Sequence, residues 1–506
     1  MKKFIKAFFS LVVAVVCLIG FTGCKTPVSA TTVSVDKVES SNGVSTNGGV
    51  TVVHNGYMYF INGTRANDGK GSSKNKLGTI CRVKLDVATG EIDDSTYEVV
   101  VKDLVGFDYG SIYFFGDFMY YTSPSKDVNY KGNVLFNKTR FMRYDLVNKK
   151  SYTIYTTKKN SSSDKIDYAY YVVGENLNLV VYESESSTIT SLKIGTTTKT
   201  NYKITDVKSC LLSENQGKCE TEGALVDANN FVFYTKQHSV TSDTEVYRTS
   251  PQVNNSFAIA NDGYDIALLS IKNGKLIYSY SSKIYAKSIL GTNADKLTID
   301  LADVISHNTY TYILFMKQQD GSDAVLYYNE NDGAIVIVRW VDGVKLDPYV
   351  ITNIGKISSS NSNSNSSSEK EEVFGLIGLT TIEEVVATDD PETEDVVEET
   401  ETETVTYLLY VKSKVVYRLE IEREGNIVEY AEPVKLSTTS MVIPTTLLVP
   451  EVIGTHLYIF GYEVDEKDKE TGKVYLYRVD ITIDSTTDLE DLENKGAATL
   501  VGIKQK

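Results

Sequence analysis

The sequence predicts an all-β fold, a β-propeller of four-stranded antiparallel blades. Three observations lead there. Long helical periodicities are nearly absent, while short alternating apolar runs recur between clusters of Asn, Asp, Gly and Ser. Tyr is in large excess, 35 residues against a single Trp and eight Pro, and Tyr with β-branched residues suits pleated, half-buried surfaces. A plan of four strands also returns along the chain at intervals of roughly 40 to 60 residues, the size of a propeller blade.

The first element precedes that body. Met1 to Lys6 is basic, and an apolar run from Ala7 to Phe21 follows, broken only by Ser10 and Gly20. This is the layout of a secretory signal, and the run is shorter than the roughly 20 residues of a membrane-spanning helix. It ends in Phe21-Thr22-Gly23-Cys24, which resembles the bacterial lipobox, with Phe21 where that family usually has Leu. The resemblance implies cleavage after residue 23, diacylglycerol on the Cys24 sulfur and a palmitate-type acyl anchor; an ordinary cleaved signal with a passive Cys24 thiol is the alternative. Two or more acyl chains anchor stably where one does so only marginally. Residues 24–47, rich in Ser, Thr, Val and Gly, read as a flexible tether. The expected location is the cell membrane, facing outside the cytoplasm.

Residues 48–506 are assigned to the propeller. One unit reads Gly49 to Gly56, Tyr57-Met-Tyr-Phe-Ile61, Thr79 to Asp86 and Tyr97 to Val101; the next reads Ser111 to Phe115, Phe118 to Tyr121, Arg140 to Leu146 and Ser151 to Tyr155. Second strands recur at Leu177, Phe231, Lys275, Tyr310, Tyr407 and His456, giving eight blades, or seven if the division around residues 345 to 430 is mistaken. Several third strands share an arginine followed by an acid: Arg82 with Asp86, Arg143 with Asp145, Arg418 with Glu420, and Arg478 with Asp480. Alternation puts each arginine on the face opposite its apolar neighbours. Residues repeated in every unit serve a scaffold, so these are read as structural. The pattern resembles the degenerate propeller repeats of bacterial extracellular proteins of unassigned function, which carry no catalytic residues to transfer.

Two stretches depart from the plan. Residues 358–368 contain only Ser and Asn and have no means of burying a core, so an insertion is expected near 358–370. The segment Glu383 to Glu403 carries eleven acids and no base, which favours a solvated insertion near 383–404. Both are read as projecting from blade seven, with an inter-domain linker as the competing reading.

Chemistry is sparse. Loss of the signal removes three lysines and no acid, taking the formal charge from -16 to -19, so nucleic acid and anionic lipid surfaces are disfavoured partners. Of five cysteines, Cys17 leaves with the signal and Cys24 is acylated. Cys210 and Cys219 flank a polar stretch where a local hairpin disulfide is an open alternative, and Cys81 sits in a strand-like run. The four histidines, at 54, 238, 307 and 456, form no metal-binding motif, and three stand at entries to second strands, where a hydrogen-bonding role is expected. No nucleophile elbow, phosphate loop or dinucleotide fingerprint occurs. No cofactor is expected; a Glu-rich loop can collect calcium weakly but lacks the spaced Asp geometry of a defined site. The leading expectation is a lipid-anchored, non-catalytic propeller binding protein or glycan. A surface-anchored polysaccharide hydrolase or lyase is the alternative, and a cell-envelope scaffold component the third.

Overall fold

A computed structural model describes the chain from Val50 to Gly502, apart from some connections between strands, the longest at 66–77, 301–312, 352–373, 389–398 and 484–497. The leader, Cys24, the tether and the Ser/Asn stretch lie outside the described residues.

The fold is a β-propeller of eight blades. Blade 1 comprises Thr51–His54, Tyr57–Ile61, Ile80–Leu85 and Ile92–Val101, and blade 2 Tyr113–Phe115, Phe118–Pro124, Thr139–Asp145 and Lys150–Thr156. Blade 3 is Ile166–Val173, Asn176–Glu183, Thr188–Lys193 and Tyr202–Ile204; blade 4 is Ser209–Leu212, Val232–Gln237, Thr244–Thr249 and Ser256–Gly263. Blade 5 is Ala267–Lys272, Lys275–Tyr280, Lys283–Ser288 and Leu297–Asp300; blade 6 is Ile313–Lys317, Asp323–Asn329 and Ala334–Val341, whose last strand pairs with Val344–Lys345 and Tyr349–Ile351. Blade 7 is Phe374–Thr388, Glu399–Lys412 and Val415–Arg423, followed by Asn426–Ile427 and Val434–Lys435. Blade 8 is Glu451–Ile453, His456–Val464, Glu470–Asp480 and Thr499–Val501. Each blade is an antiparallel meander in sequence order, so the first strand is always an edge. First strands of blades 3, 4 and 5 touch one another, as do those of blades 8 and 1, which places them around the central axis.

Strand alternation gives the blades apolar faces, and among the described residues these pack blade against blade at seven seams, from blade 1 round to blade 5, from blade 6 to blade 8, and between blades 8 and 1. Between blades 1 and 2, Tyr59, Ile61 and Ile80 meet Phe114, Met119 and Tyr121; between blades 2 and 3, Tyr113, Tyr120 and Phe141 meet Tyr170, Leu179 and Val181. The Tyr excess is thus spent on seams: Tyr120, Tyr171, Tyr278, Tyr410, Tyr458 and Tyr475 are fully buried. An aromatic ring fills the wide gap between twisted sheets better than an aliphatic group, and the hydroxyl can reach a backbone acceptor, as Tyr458 does at Gly90 O, 2.7 Å away.

The last seam closes the ring. Met58, Phe60, Cys81 and Val83 of blade 1 pack on Tyr458, Phe460, Val474 and Leu476 of blade 8. The two-residue strand Thr64–Arg65, in the second-to-third-strand connection of blade 1, pairs with Lys473 and Val474 of blade 8. Otherwise each of these blades is built from its own contiguous sequence. The closing contact is between two turns. Thr89 and Gly90 of blade 1 lie against Ile453 to His456 of blade 8, where His456 Nδ1 is 2.9 Å from Thr89 O and Thr455 Oγ1 donates to the same carbonyl at 3.0 Å. Arg478 and His456 both meet the Glu91 carboxylate.

Topology assigns the connections to faces. The meander puts all first-to-second and third-to-fourth connections at one face, called here the distal face, and all other connections, with both ends of the described chain, at the opposite face. The longest excursion on the distal face is the first hairpin of blade 7, whose strands of 15 and 14 residues stay paired from Phe374 with Lys412 out to Thr388 with Glu399. The acidic segment expected as a solvated loop is therefore, over residues 383–388 and 399–403, the outer part of this hairpin. Blade 4 adds a second distal excursion, the small hairpin Lys218–Thr221 and Ala224–Asp227. On the opposite face, blade 2 carries the short pair Asp127–Val128 and Val134–Leu135.

Candidate functional site

The repeated residues come first, because a site is recognised by what departs from them. Arg82 donates to Glu98 Oε2 from Nη2 at 2.6 Å and from Nε at 3.0 Å, and lies 4.5 Å from the centre of the Tyr57 ring. Arg143 lies 4.5 Å from Phe118 and Arg418 4.4 Å from Tyr407 in the same diagonal relation between third and second strands. Arg478 instead reaches across the closing seam to Glu91. These arginines do lie on the face opposite their apolar neighbours, Arg143 in the seam of blades 2 and 3 and Met142 and Tyr144 in that of blades 1 and 2, and Arg143 and Arg418 are buried there because both faces of a blade are covered and the guanidinium packs on an aromatic ring. Arg248, over Phe231 at 4.6 Å, occupies the same place in blade 4 and was not picked out from the sequence, although Tyr247-Arg248-Thr249 carries the signal.

The paired acids divide. Asp145 accepts from the backbone N–H groups of Val147 and Asn148 at 3.0 and 2.7 Å, and from Asn148 Nδ2 at 2.8 Å. Asp86 accepts from Ala88 N and Asp480 from Thr482 N. These three fold the turn after the third strand, the Asx pattern of a short acidic side chain bonding its own chain two residues on. Asp145→Ala is expected to cost about 1–2 kcal/mol by orphaning those donors, read as a lower urea midpoint at unchanged slope. Glu420 does not belong with them. It lies mid-strand, because blade 7's third strand runs on to Arg423.

Glu420 belongs to a brace on the outer part of the long hairpin. Arg423 donates to both oxygens of Glu420, at 2.8 and 2.9 Å, to Glu403 Oε2 at 2.5 Å and to Glu384 Oε2 at 3.4 Å. Glu384 and Glu403 are cross-strand partners, a like-charge pairing that destabilises a hairpin unless a cation lies between them. Glu384 Oε1 also accepts from Tyr407 OH at 2.5 Å and stands 3.9 Å from Arg418. Burial and the bond to Glu384 hold the Tyr407 hydroxyl well above its usual range. Each of the three carboxylates is thus ion-paired with Arg423. The cluster fixes a hairpin, whose outer residues Glu383 to Thr388 extend about 20 Å at the rise of a β-strand.

A second departure borders the central axis. Glu451, on the first strand of blade 8, accepts from Thr51 Oγ1 of blade 1 at 2.5 Å. Its side chain keeps some contact with solvent, yet protein crowds it on most sides. Burial pushes its carboxyl up to about 7, against which the Thr51 bond acts only partly. Glu451 was missed in the sequence; the available signal was one acid in the apolar run Leu448-Val-Pro-Glu-Val-Ile453.

The remaining expected positions are scattered. His54 stacks on Phe114 at 4.2 Å and 9°, His238 receives the N–H groups of Val240 and Thr241 in its own turn, and His456 serves the closing seam; His307 lies outside the described residues. Cys210 is a free, strongly desolvated thiol paired by backbone with Tyr234, while Cys219 lies on the separate small hairpin opposite Val226, its side chain outside the description. The two cysteines thus do not flank a single hairpin. Among the described residues no group of three or more metal-ligating side chains converges.

No protein-family model matches the chain, and no curated protein matches it. Among solved structures it is similar to a post-proline cleaving enzyme from Rickettsia typhi, at 11% identity and a TM-score of 0.38, over 90% of this chain and 60% of that one. It is also similar to Porphyromonas gingivalis dipeptidyl peptidase 4, at 10% and 0.41, over 92% and 62%. A third is an oligogalacturonate lyase from Vibrio parahaemolyticus, at 9% and 0.32, over 88% and 100%. The chain spans about three fifths of the two peptidase chains, and at these scores the likenesses carry no argument about this protein.

Proposed function

We propose that this chain is a lipid-anchored, extracytoplasmic binding propeller that engages a protein or glycan with its distal face. The observation that carries the reading is topological. Both ends of the described chain lie at one face, and the braced blade 7 hairpin rises from the other. A tether running from Val50 back to an acylated Cys24 turns the distal face, with its repeat-breaking hairpin, away from the membrane. Rigid aromatic seams hold that face without moving parts, which suits recognition by a preorganised surface.

The anchor is tested by labelling growing cells with a clickable fatty acid. The wild type is expected to carry the label and sediment with membranes, and Cys24→Ala to lose both; label retained by the variant would overturn the anchor. Binding is tested by passing the mature chain, and a variant with residues 385–402 replaced by a short turn, over arrays of glycans and of extracellular proteins. A ligand retained by the wild type and lost by the variant supports the distal face.

A second reading, a polysaccharide hydrolase or lyase, is favoured by Glu451 alone, a carboxyl that stays partly protonated at neutral pH beside the central axis. It requires that the mature chain shorten an acidic or neutral polysaccharide and that Glu451→Gln abolish this. Such a result would displace the non-catalytic reading.

A further inference from the structure

The four repeated arginines are not equally provided for. Arg82 has Glu98, Arg418 stands 3.9 Å from Glu384, and Arg478 has Glu91. Arg143 has no carboxylate within ion-pair distance among the described residues, Asp145 acting on it only from further off, although it is one of the two most buried of the four, with 8% of its surface exposed. The register explains why. Arg82 is the cross-strand partner of Tyr59 on one side and Glu98 on the other, whereas Arg143 is the partner of Tyr120 and, where blade 1 has its glutamate, of Tyr152. The nearest acid on its own strand, Asp145, is already occupied by the turn it folds. A buried guanidinium without a counter-charge is costly.

Two further donors converge on the same seam. The hydroxyls of Tyr120 and Tyr170 and Arg143 Nε are buried; the Tyr120 oxygen lies beside the Arg143 guanidinium, and the Tyr170 hydroxyl and Arg143 Nε meet no hydrogen-bond partner among the described residues. Tyr120 and Tyr170 have ring centres 5.0 Å apart across the boundary of blades 2 and 3, and Phe118, on which Arg143 packs, lies in the same seam. One cationic N–H and two O–H groups, with no carboxylate among them, form a donor set for an anion. In blade 1 the corresponding arginine donates to the corresponding tyrosine at 3.2 Å and to Glu98; in blade 2 the place of the glutamate is taken by Tyr152, whose ring centre lies 5.5 Å from the Arg143 guanidinium and supplies no counter-charge.

We propose that the seam of blades 2 and 3 binds one small anion through Arg143 Nε and the hydroxyls of Tyr120 and Tyr170. The chemistry is that of a carboxylate or a halide of similar size, supplied either by a ligand's acid group or by a free ion. This site is independent of the anchor and of the distal-face reading.

The test is thermal unfolding of the mature chain in detergent while sodium chloride or sodium acetate replaces a bulky sulfonate salt at constant ionic strength. A saturable rise in Tm of several degrees is expected, because an ion bound only by the folded state stabilises it. A rise with acetate alone assigns the site to carboxylate ligands, and a rise with both, or with chloride alone, to free ions. Tyr152→Glu supplies the carboxylate that blade 1 has, and is expected to raise Tm without added anion and to abolish the response. Tyr120→Phe combined with Tyr170→Phe keeps the rings and is expected to weaken the response about tenfold. No saturable rise with either anion overturns the proposal, as does a wild-type response in both variants.

Discussion

Gly90→Ala is expected to destabilise the propeller by on the order of 3 kcal/mol, and Gly454→Ala by a similar amount. The two glycines face each other across the closing seam. Gly90 has φ +75°, and a Cβ there would stand 2.0 Å from Ile453 O; Gly454 has φ +56°, and its Cβ would meet the Thr89 carbonyl carbon at 2.3 Å. Both obstacles are backbone, so neither can swing aside. The turns would have to separate, and with them go the bonds that Thr455 and His456 make to Thr89 O. Gly56 and Gly116 are internal controls, with φ +73° and +57° and nothing within 4 Å of an added Cβ. Alanine there should cost only the left-handed backbone penalty, about 1–2 kcal/mol. Urea unfolding of the four variants separates contact from conformation, and equal losses in all four would show that the turn-to-turn contact contributes nothing. Hydrogen exchange should place the Gly90→Ala effect in blades 1 and 8.

The second large effect is a pH dependence. The Glu451 carboxyl ordinarily titrates at 4.5 and is pushed up to about 7 in the folded chain by burial at the inner seam. The folded state therefore holds this proton more tightly than the unfolded state does. Stability from this group is fully present below about 4.5, and is lost as pH rises through about 7. The difference is on the order of 3 kcal/mol, at about 1.36 kcal/mol per unit. Glu451→Gln keeps an acceptor for Thr51 and cannot ionise. Its stability curve is expected to lack this decline and to lie above the wild type at pH 8. Wild-type and variant curves that run parallel from pH 4 to 8 would refute the assignment.

Much of the architecture was legible because a propeller repeats itself. The alternation in Tyr57-Met-Tyr-Phe-Ile61 and Phe118-Met-Tyr-Tyr marked second strands, and Asp86, Asp145 and Asp480 marked the turns that follow third strands. Glu420 was grouped with these acids because its local spelling is the same; only pairing with the following residues shows that the strand continues and that the acid serves Arg423. The acidic run misled for a related reason. Self-repulsion argues for a loop when counted along the chain, but Arg423, some 20 residues distant from Glu403, enters the count only in three dimensions. Glu451 and Arg143 owe their character to neighbours on other blades or to what a neighbouring strand lacks, and no local pattern carries such information.

The manner of ring closure also bears on how such a chain can change in length. Among the described residues the first and last blades share only one two-residue bridge, so the blade boundaries seen there coincide with boundaries along the chain. Insertion or deletion of a whole segment between two such boundaries adds or removes one complete sheet and leaves all others with their hydrogen bonds intact. The burden of adjustment then falls on the curvature of the seams, which is held by side-chain packing, and on the single pair of glycine turns where the circle meets. Blade number in this architecture is consequently a property that duplication can alter in one step, while the turn-to-turn contact must be kept wherever the first and last blades come together.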